Sequence, residues 1–70
     1  MKGVKHYMRI TIKAARVNKG MTQAALADKL NVTKKTVCSW EKGKTMPKLD
    51  KIEPLCNVLG VQYNDIQWRV

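Results

Sequence analysis

The sequence contains few of the residues from which catalytic and metal sites are built. It has one histidine, His6, and its two cysteines, Cys38 and Cys56, are eighteen residues apart without a C-x-x-C motif. There is no glycine-rich phosphate loop and no nucleophile with a plausible base, which argues against an enzyme. Because the cysteine spacing fits no metal or redox motif, we expect reduced thiols, no metal site and no cofactor.

Long apolar runs are absent as well. No segment approaches the roughly 20 consecutive apolar residues of a membrane-spanning helix. The basic start of the chain also lacks the apolar stretch of a secretory signal. The sequence therefore predicts no membrane partner and a cytoplasmic, nucleoid-associated location.

Acidic residues are scarce, and they are unevenly distributed. The chain has 14 Lys and Arg against 5 Asp and Glu, a formal net charge of +9. Residues 1–20 contain six bases and no acid, residues 21–46 five bases and two acids, and residues 47–70 three of each. A basic front half joined to a neutral back half predicts one face directed toward a polyanion. The alternative is a lysine-rich surface that only confers solubility.

The clearest local pattern lies between Thr22 and Gly43. Thr22 and Thr33 are each placed to cap a helix, because a threonine hydroxyl accepts a hydrogen bond from a free backbone N–H two or three residues ahead. Asn31 lies between them and tolerates the left-handed backbone of a tight turn. Two short helices joined in this way form a helix-turn-helix. The second helix, over residues 33–42, has an apolar side and a lysine-rich side.

Further helices are predicted on both sides of this motif. Thr11 can cap a helix that ends near Gly20, although alternating apolar residues at the start of the chain also suggest a short extended segment. Asp50 followed by Glu53 predicts a reciprocal capping box at the start of a fourth helix. Pro54 then falls at about the fourth position of that helix, where its missing N–H forfeits one hydrogen bond.

Seventy residues predict one small domain. We expect residues 1–8 to form a flexible basic arm and residues 9–70 to form a compact, all-α domain of four to five helices. Residues 64–66 can form one more turn. Beyond that turn, Trp68 is equally compatible with packing on the body of the domain and with a dimer contact, since large exposed aromatic side chains usually mark an interface.

The residues from Thr22 onward match the pattern TQxxLAxxLxVTxxTVxxWExGKxxP, followed by a capped helix and LGV. This pattern closely resembles the helix-turn-helix family of phage repressor and Cro proteins, also called the xenobiotic-response-element family. The resemblance extends over residues 10–66. It implies a repressor-like DNA-binding domain of five helices, with residues 33–42 as the recognition helix in the major groove.

The resemblance also implies roles for individual residues. The positions that match the family's base-reading residues are Lys34, Lys35 and Ser39. The positions that match its DNA-backbone contacts are Thr22, Gln23, Thr33, Lys42 and Lys44. Two of the three base-reading positions hold lysine, where the family often has glutamine, arginine or asparagine. Lysine can donate to guanine O6 and N7, and it is also a general phosphate contact.

Two further matches concern the body of the domain. Gln23 matches a glutamine that braces the recognition helix in addition to its phosphate contact. Arg16 and Glu41 match a partly buried ion pair that ties the first helix to the end of the recognition helix. The resemblance therefore implies polar contacts that hold the motif together as well as polar contacts that bind DNA.

We therefore predict a sequence-specific DNA-binding transcriptional regulator, most simply a repressor of phage or mobile-element type. It would bind near-palindromic double-stranded DNA as a homodimer, and in the family the half-sites lie about one helical turn, roughly 34 Å, apart. The alternative is an interaction module on the same fold, such as an antitoxin, whose main partner is a small protein and whose DNA binding is secondary.

Overall fold

The computed structural model describes residues 9–69, which contain four α-helices around one small core. The helices are α1 (Ile12–Asn18), α2 (Gln23–Leu30), α3 (Lys34–Glu41) and α4 (Leu49–Leu59). A 3-10 turn (Tyr63–Asp65) follows α4. This architecture confirms the predicted all-α class of four to five helices, while the predicted arm over residues 1–8 lies outside the described residues.

Threonine side chains cap the first three helices. The hydroxyl oxygens of Thr11 and Thr22 each accept a hydrogen bond at 3.0 Å from the backbone N–H three residues ahead, and Thr33 accepts an equivalent bond at 3.2 Å. Between α2 and α3, Asn31 has a left-handed backbone with φ 58° and ψ 42°. The predicted caps and the predicted turn are therefore confirmed, and they set the relative placement of α2 and α3.

Two short strands add a feature that the all-helical prediction did not contain. β1 (Ile10–Thr11) pairs in parallel with β2 (Ile66–Gln67), with Ile10 opposite Ile66 and Thr11 opposite Gln67. Thr11 ends β1 and also caps α1, so the extended segment and the capped helix, which the sequence left as alternatives, are both present. Ile66 is buried, and β2 thereby joins the end of the chain to the core.

The start of α4 differs from the prediction. The helix begins at Leu49 after Lys48, which makes no side-chain capping bond, so the predicted cap at Asp50 is wrong. Asp50 instead occupies the first turn, where a carboxylate interacts favourably with the helix dipole. Pro54 consequently lies at the sixth helical position, with Asp50 as the residue whose carbonyl loses a bond. Packing of the buried side of α4 compensates for this loss.

The core is formed by one cluster of apolar side chains from all four helices and β2. Trp40 belongs to it, on the apolar side that the sequence predicted for residues 33–42. Trp68 packs against the cluster, and its indole N–H donates to the Tyr63 carbonyl at 3.2 Å. Packing on the body, one of the two alternatives for Trp68, is thus the observed arrangement. The buried members are Ile12, Ala15, Leu26, Ala27, Leu30, Val37, Trp40, Leu55, Cys56, Leu59 and Ile66.

Candidate nucleic-acid interface

The outward side of α3 is a continuous polar face. Lys35, Ser39 and Lys42 follow one another at spacings of four and three residues, and Lys34 lies beside them, so these side chains share one face of the helix. All three lysines are exposed and Ser39 is half-buried. We call these four residues the outer face of α3; the structure brings the three predicted base-reading residues together on it.

The opposite side of α3 fixes its orientation. Val37 and Trp40 are buried in the core, where the apolar side of α2 contributes Leu26 and Leu30. A helix anchored along one side by large buried side chains cannot rotate without exposing them, at a cost of about 1.5–3 kcal/mol for each such side chain. The outer face is therefore held toward solvent by the packing behind it.

A buried ion pair holds the end of α3 to α1. The guanidinium of Arg16 donates to both carboxylate oxygens of Glu41, from Nε to Oε2 at 2.6 Å and from Nη2 to Oε1 at 3.1 Å. Its remaining Nη1 group donates to the Met21 backbone carbonyl at 2.8 Å. The two side chains are only 10% and 4% exposed. The pair therefore occupies the position that the resemblance implied, with most of its polar atoms satisfied inside the protein.

Gln23 joins α2 to the same carboxylate. Its side-chain amide donates to Glu41 Oε1 at 3.0 Å, so Arg16, Gln23 and Glu41 form one network, which we call the brace. Gln23 is half-buried, and it is the first residue of α2. The brace thus connects three helices at one point and holds the beginning of α2 next to the end of α3.

The charge state of the brace follows from its contacts. Burial opposes ionisation of Glu41 and by itself raises the pKa of its carboxyl, but hydrogen bonds from Arg16 and Gln23 and the charges of Arg16 and Lys13 outweigh burial, so the pKa of Glu41 lies below its ordinary value. The hydrogen bond to Glu41, only partly offset by burial, raises the pKa of Arg16. Both groups are therefore charged at neutral pH. The charge of Glu41, the acidic residue of α3, is balanced by Arg16 on the side away from the outer face.

The predicted DNA-backbone residues lie at the helix ends around the outer face. Thr22 and Thr33 are the exposed N-caps of α2 and α3, and Lys42 and Lys44 are exposed beyond the end of α3. Neither α2 nor α3 has an acidic residue in its first turn. Neither helix therefore supplies a counter-charge to its positive end from its own first turn, which favours an external anion.

Two basic residues in the structure have roles that the sequence did not indicate. The ammonium group of Lys51, in the first turn of α4, donates to the Leu30 carbonyl at the end of α2 at 2.8 Å. Arg69 and Lys44 both line a cleft between the end of the described chain and the loop after α3. No local pattern marks either residue, because each contact joins segments that are distant in the sequence.

The acidic and sulfur-containing side chains of residues 9–69 are dispersed. Within this range, no three His, Cys, Asp or Glu side chains lie close enough to hold a metal ion. Nor does any helix of the described chain have both the length and the apolar character needed to cross a membrane. Cys38 and Cys56 are free thiols, and burial, with a smaller effect from the charge of Asp65, raises the pKa of Cys56. A buried thiol of raised pKa is a poor nucleophile.

Three known proteins are similar to parts of this chain. A 26 kDa repressor protein of Escherichia phage HK022 is 47% identical over 38 residues, which are 54% of this chain and 16% of the phage protein. An SPbeta prophage-derived HTH-type transcriptional regulator of Bacillus subtilis is 38% identical over 50 residues, 71% of this chain and 46% of that protein. Multiprotein-bridging factor 1c of Arabidopsis thaliana is 37% identical over 62 residues, 89% of this chain and 42% of that protein. The chain spans less than half the length of each.

A family model described as helix-turn-helix matches residues 12–66. This range contains α1 to α4 and the 3-10 turn, and with them every predicted site residue. The match places the chain among regulatory DNA-binding proteins and not among enzymes, as the sequence predicted. The chain therefore belongs to the helix-turn-helix family of DNA-binding transcriptional regulators.

Proposed function

We propose that the protein is a sequence-specific transcriptional repressor of phage or mobile-element type, which inserts α3 into the major groove of its operator. The observation that carries the proposal is the outer face of α3, which presents three exposed lysines and no acid. Support for the phage type comes from the names of the phage and prophage relatives.

The placement of Lys34 and Lys35 supports a ligand at the start of α3. Both lie in the first turn, where a positive charge is unfavourable next to the helix dipole by about 0.3–1 kcal/mol. Neither makes a side-chain hydrogen bond with any residue that the structure describes. An external partner that is anionic and accepts hydrogen bonds explains why two lysines without internal partners occupy this unfavourable position. DNA has both properties, since its phosphates are anionic and the guanine edge in the groove accepts hydrogen bonds.

Two groups of residues would make two different kinds of contact with DNA. Thr22, Gln23, Thr33, Lys42 and Lys44 would contact phosphates and set the register of the protein on the duplex. Lys34, Lys35 and Ser39 would contact base edges. The phosphate contacts release counterions, so affinity for random DNA should fall steeply with salt. A nearly flat plot of log K against log salt would contradict this part of the proposal.

The active form would be a homodimer on a near-palindromic operator. One helix of eight residues is about 12 Å long and contacts only a short half-site, so two copies are needed for useful specificity. Selection of bound sequences from a random DNA pool tests this proposal and supplies the operator. A motif with two-fold symmetry is expected, and an asymmetric motif would contradict the homodimer.

The decisive test replaces Lys34 and Lys35 together by alanine. The double variant should lose discrimination between the selected operator and random DNA by about 1–3 kcal/mol for each base contact removed, because the phosphate contacts remain. Affinities for both duplexes, measured by fluorescence anisotropy at one salt concentration, give the discrimination directly.

A double variant Lys42→Ala with Lys44→Ala is the matched control, since it removes the same charge from the other end of α3. It should weaken binding to both duplexes by the same factor and leave discrimination unchanged. If the Lys34 and Lys35 variant also lowers both affinities equally, those lysines are phosphate contacts only, and the proposed base readers are wrong.

The second candidate is a protein-interaction module, such as an antitoxin with a small protein partner. Exposed apolar side chains favour it: Leu49 is 88% exposed and borders a groove that also contains Ile52, Val61 and Tyr63. Purification from the native host discriminates the two candidates. A stable stoichiometric complex with another small protein, together with weak operator discrimination, would favour the second.

A further inference from the structure

The end of the described chain lies against the loop that follows α3. A cleft of about 340 Å³ is lined on one side by the loop residues Gly43, Lys44, Thr45 and Met46 and on the other by Trp68 and Arg69. Lys44 and Arg69 both line this cleft and both are exposed, so the cleft has a basic residue on each side. The cleft is next to α3, at the end away from the predicted base-reading lysines.

The segment that carries Arg69 is held in place by several contacts. Ile66 is buried, and β2 pairs with β1 immediately before Trp68. The Trp68 ring packs on Tyr63 with 5.3 Å between ring centroids, and its N–H bonds to the Tyr63 carbonyl. The Gln67 side-chain amide donates to the Arg69 backbone carbonyl at 3.1 Å. Arg69 therefore extends from an anchored segment, which lowers the entropy lost when its side chain binds a ligand.

The charges around the cleft favour an anion. None of its lining residues is acidic, and within residues 9–69 Arg69 makes no ion pair. A guanidinium presents two parallel N–H donors that match two oxygens of a phosphate, and a neighbouring ammonium group adds a point charge. The paired basic groups thus suit a phosphodiester, which has two unesterified oxygens and one negative charge.

We propose that Arg69 and Lys44 together bind one phosphate of the DNA backbone beside the recognition helix. This inference rests on the proposed DNA-binding function, and it adds a contact from the C-terminal segment, which lies beyond residues 12–66, the range matched by the family model. Arg69 acts as a positioning residue: it holds the loop after α3 against the backbone and carries no sequence information.

The test measures how affinity for a random-sequence duplex depends on salt. For each bound subunit, Arg69→Ala should reduce the slope of log K against log salt by about 0.9, the value for one lost phosphate contact, while Arg69→Lys, which keeps the charge, should retain most of the slope. Discrimination between the selected operator and random DNA should stay at the wild-type value in both variants. Thermal unfolding of each variant should match that of the wild type, because the Arg69 side chain is exposed.

Lys19→Ala is the matched control. Lys19 is exposed, and its side chain lies against Gly60 at the C-terminal end of α4. That helix has eleven residues, so this end is about 16 Å from its start, where the loop after α3 leads in. Removing this charge should leave the slope unchanged. An equal reduction in slope for Lys19→Ala and Arg69→Ala would overturn the proposal, because only net charge would then matter.

Neutral methylphosphonate linkages, placed one at a time in the selected operator, identify the phosphate. One position in each half-site should weaken binding of the wild type and leave Arg69→Ala unaffected, and the same position should have a reduced effect on Lys44→Ala. If every position weakens Arg69→Ala as much as the wild type, the proposed contact is wrong. A wild-type protein with a flat salt dependence and no selected motif would instead refute DNA binding itself.

Discussion

Two groups of polar side chains in the helix-turn-helix differ in burial and in partners. In the brace, Arg16 and Glu41 are largely shielded from solvent and Gln23 is half-buried, and Arg16 and Gln23 both donate to Glu41. On the outer face of α3, Lys34 and Lys35 are exposed and have no side-chain partner among the described residues. Buried polar groups need internal partners because water cannot replace them, whereas exposed groups are solvated and remain free for a ligand.

The difference shows how one short helix can serve both folding and binding. Glu41 and Lys34 are at opposite ends of α3, and each end carries its own type of contact. Removing a member of the brace should change stability, and removing Lys34 or Lys35 from the outer face should change DNA discrimination. The following predictions test this separation.

The largest effect on stability is expected for Glu41→Ala. This change leaves the Arg16 guanidinium buried beside an empty site, which typically costs about 3–5 kcal/mol for a well-buried pair. Urea denaturation followed by circular dichroism gives the free energy of unfolding. Lys35→Ala is the control from the same helix, and it should remain within about 0.5 kcal/mol of the wild type. Similar values for the two variants would remove the distinction between the brace and the outer face.

The contribution of Glu41 should also depend on pH. Because its folded-state pKa lies below the ordinary value of 4.5, the carboxylate stabilises the fold fully above that value. The contribution is lost as the pH falls below 4.5 and through the lowered pKa. Comparing the free energy of unfolding of the wild type with that of Glu41→Gln, which cannot ionise, isolates the effect. The difference should shrink below pH 4.5, and a difference independent of pH would show that folding does not lower the pKa of Glu41.

A smaller effect is expected for Thr22→Ala. Thr22 is exposed and is a predicted DNA-backbone contact, yet its hydroxyl also caps α2, so its loss should lower stability by about 1 kcal/mol. Thr22→Ser keeps the capping oxygen and should be nearly neutral. Thermal unfolding and DNA affinity measured on both variants separate the two roles. If Thr22→Ala leaves the stability unchanged, the capping bond does not stabilise the fold, and the predicted contact with the DNA backbone is the remaining role of Thr22.

Local signals were sufficient for the parts of the fold that depend on neighbouring residues. A threonine cap involves atoms within three residues, and the left-handed turn at Asn31 depends on its own backbone, so both could be predicted. The start of α4 could not be predicted in this way. Asp50 and Glu53 have suitable spacing for a capping box, but the helix begins at Leu49, with Lys48 as its N-cap. Pro47, which precedes the N-cap residue Lys48, is buried, and that burial is not part of any local pattern.

The candidate site was predicted unevenly for a similar reason. The brace positions were available only through the family resemblance, since Arg16 and Glu41 are 25 residues apart and no helical periodicity connects them. Lys51 looks like a surface lysine in the sequence, and its bond to the Leu30 carbonyl becomes apparent only when α4 packs beside the end of α2. Contacts of this kind depend on how the helices are placed relative to one another.

The sequence by itself determined the helix caps, the tight turn at Asn31, the apolar and polar sides of α3 and the excess of positive charge in the first half of the chain. These features arise from short-range hydrogen bonding, periodicity and composition. The tertiary structure decided that β1 pairs with β2, that the brace closes around Glu41, and that Arg69 and Lys44 line one cleft. Each of these brings together residues from distant parts of the chain, and only the packing of the common core determines which distant residues meet.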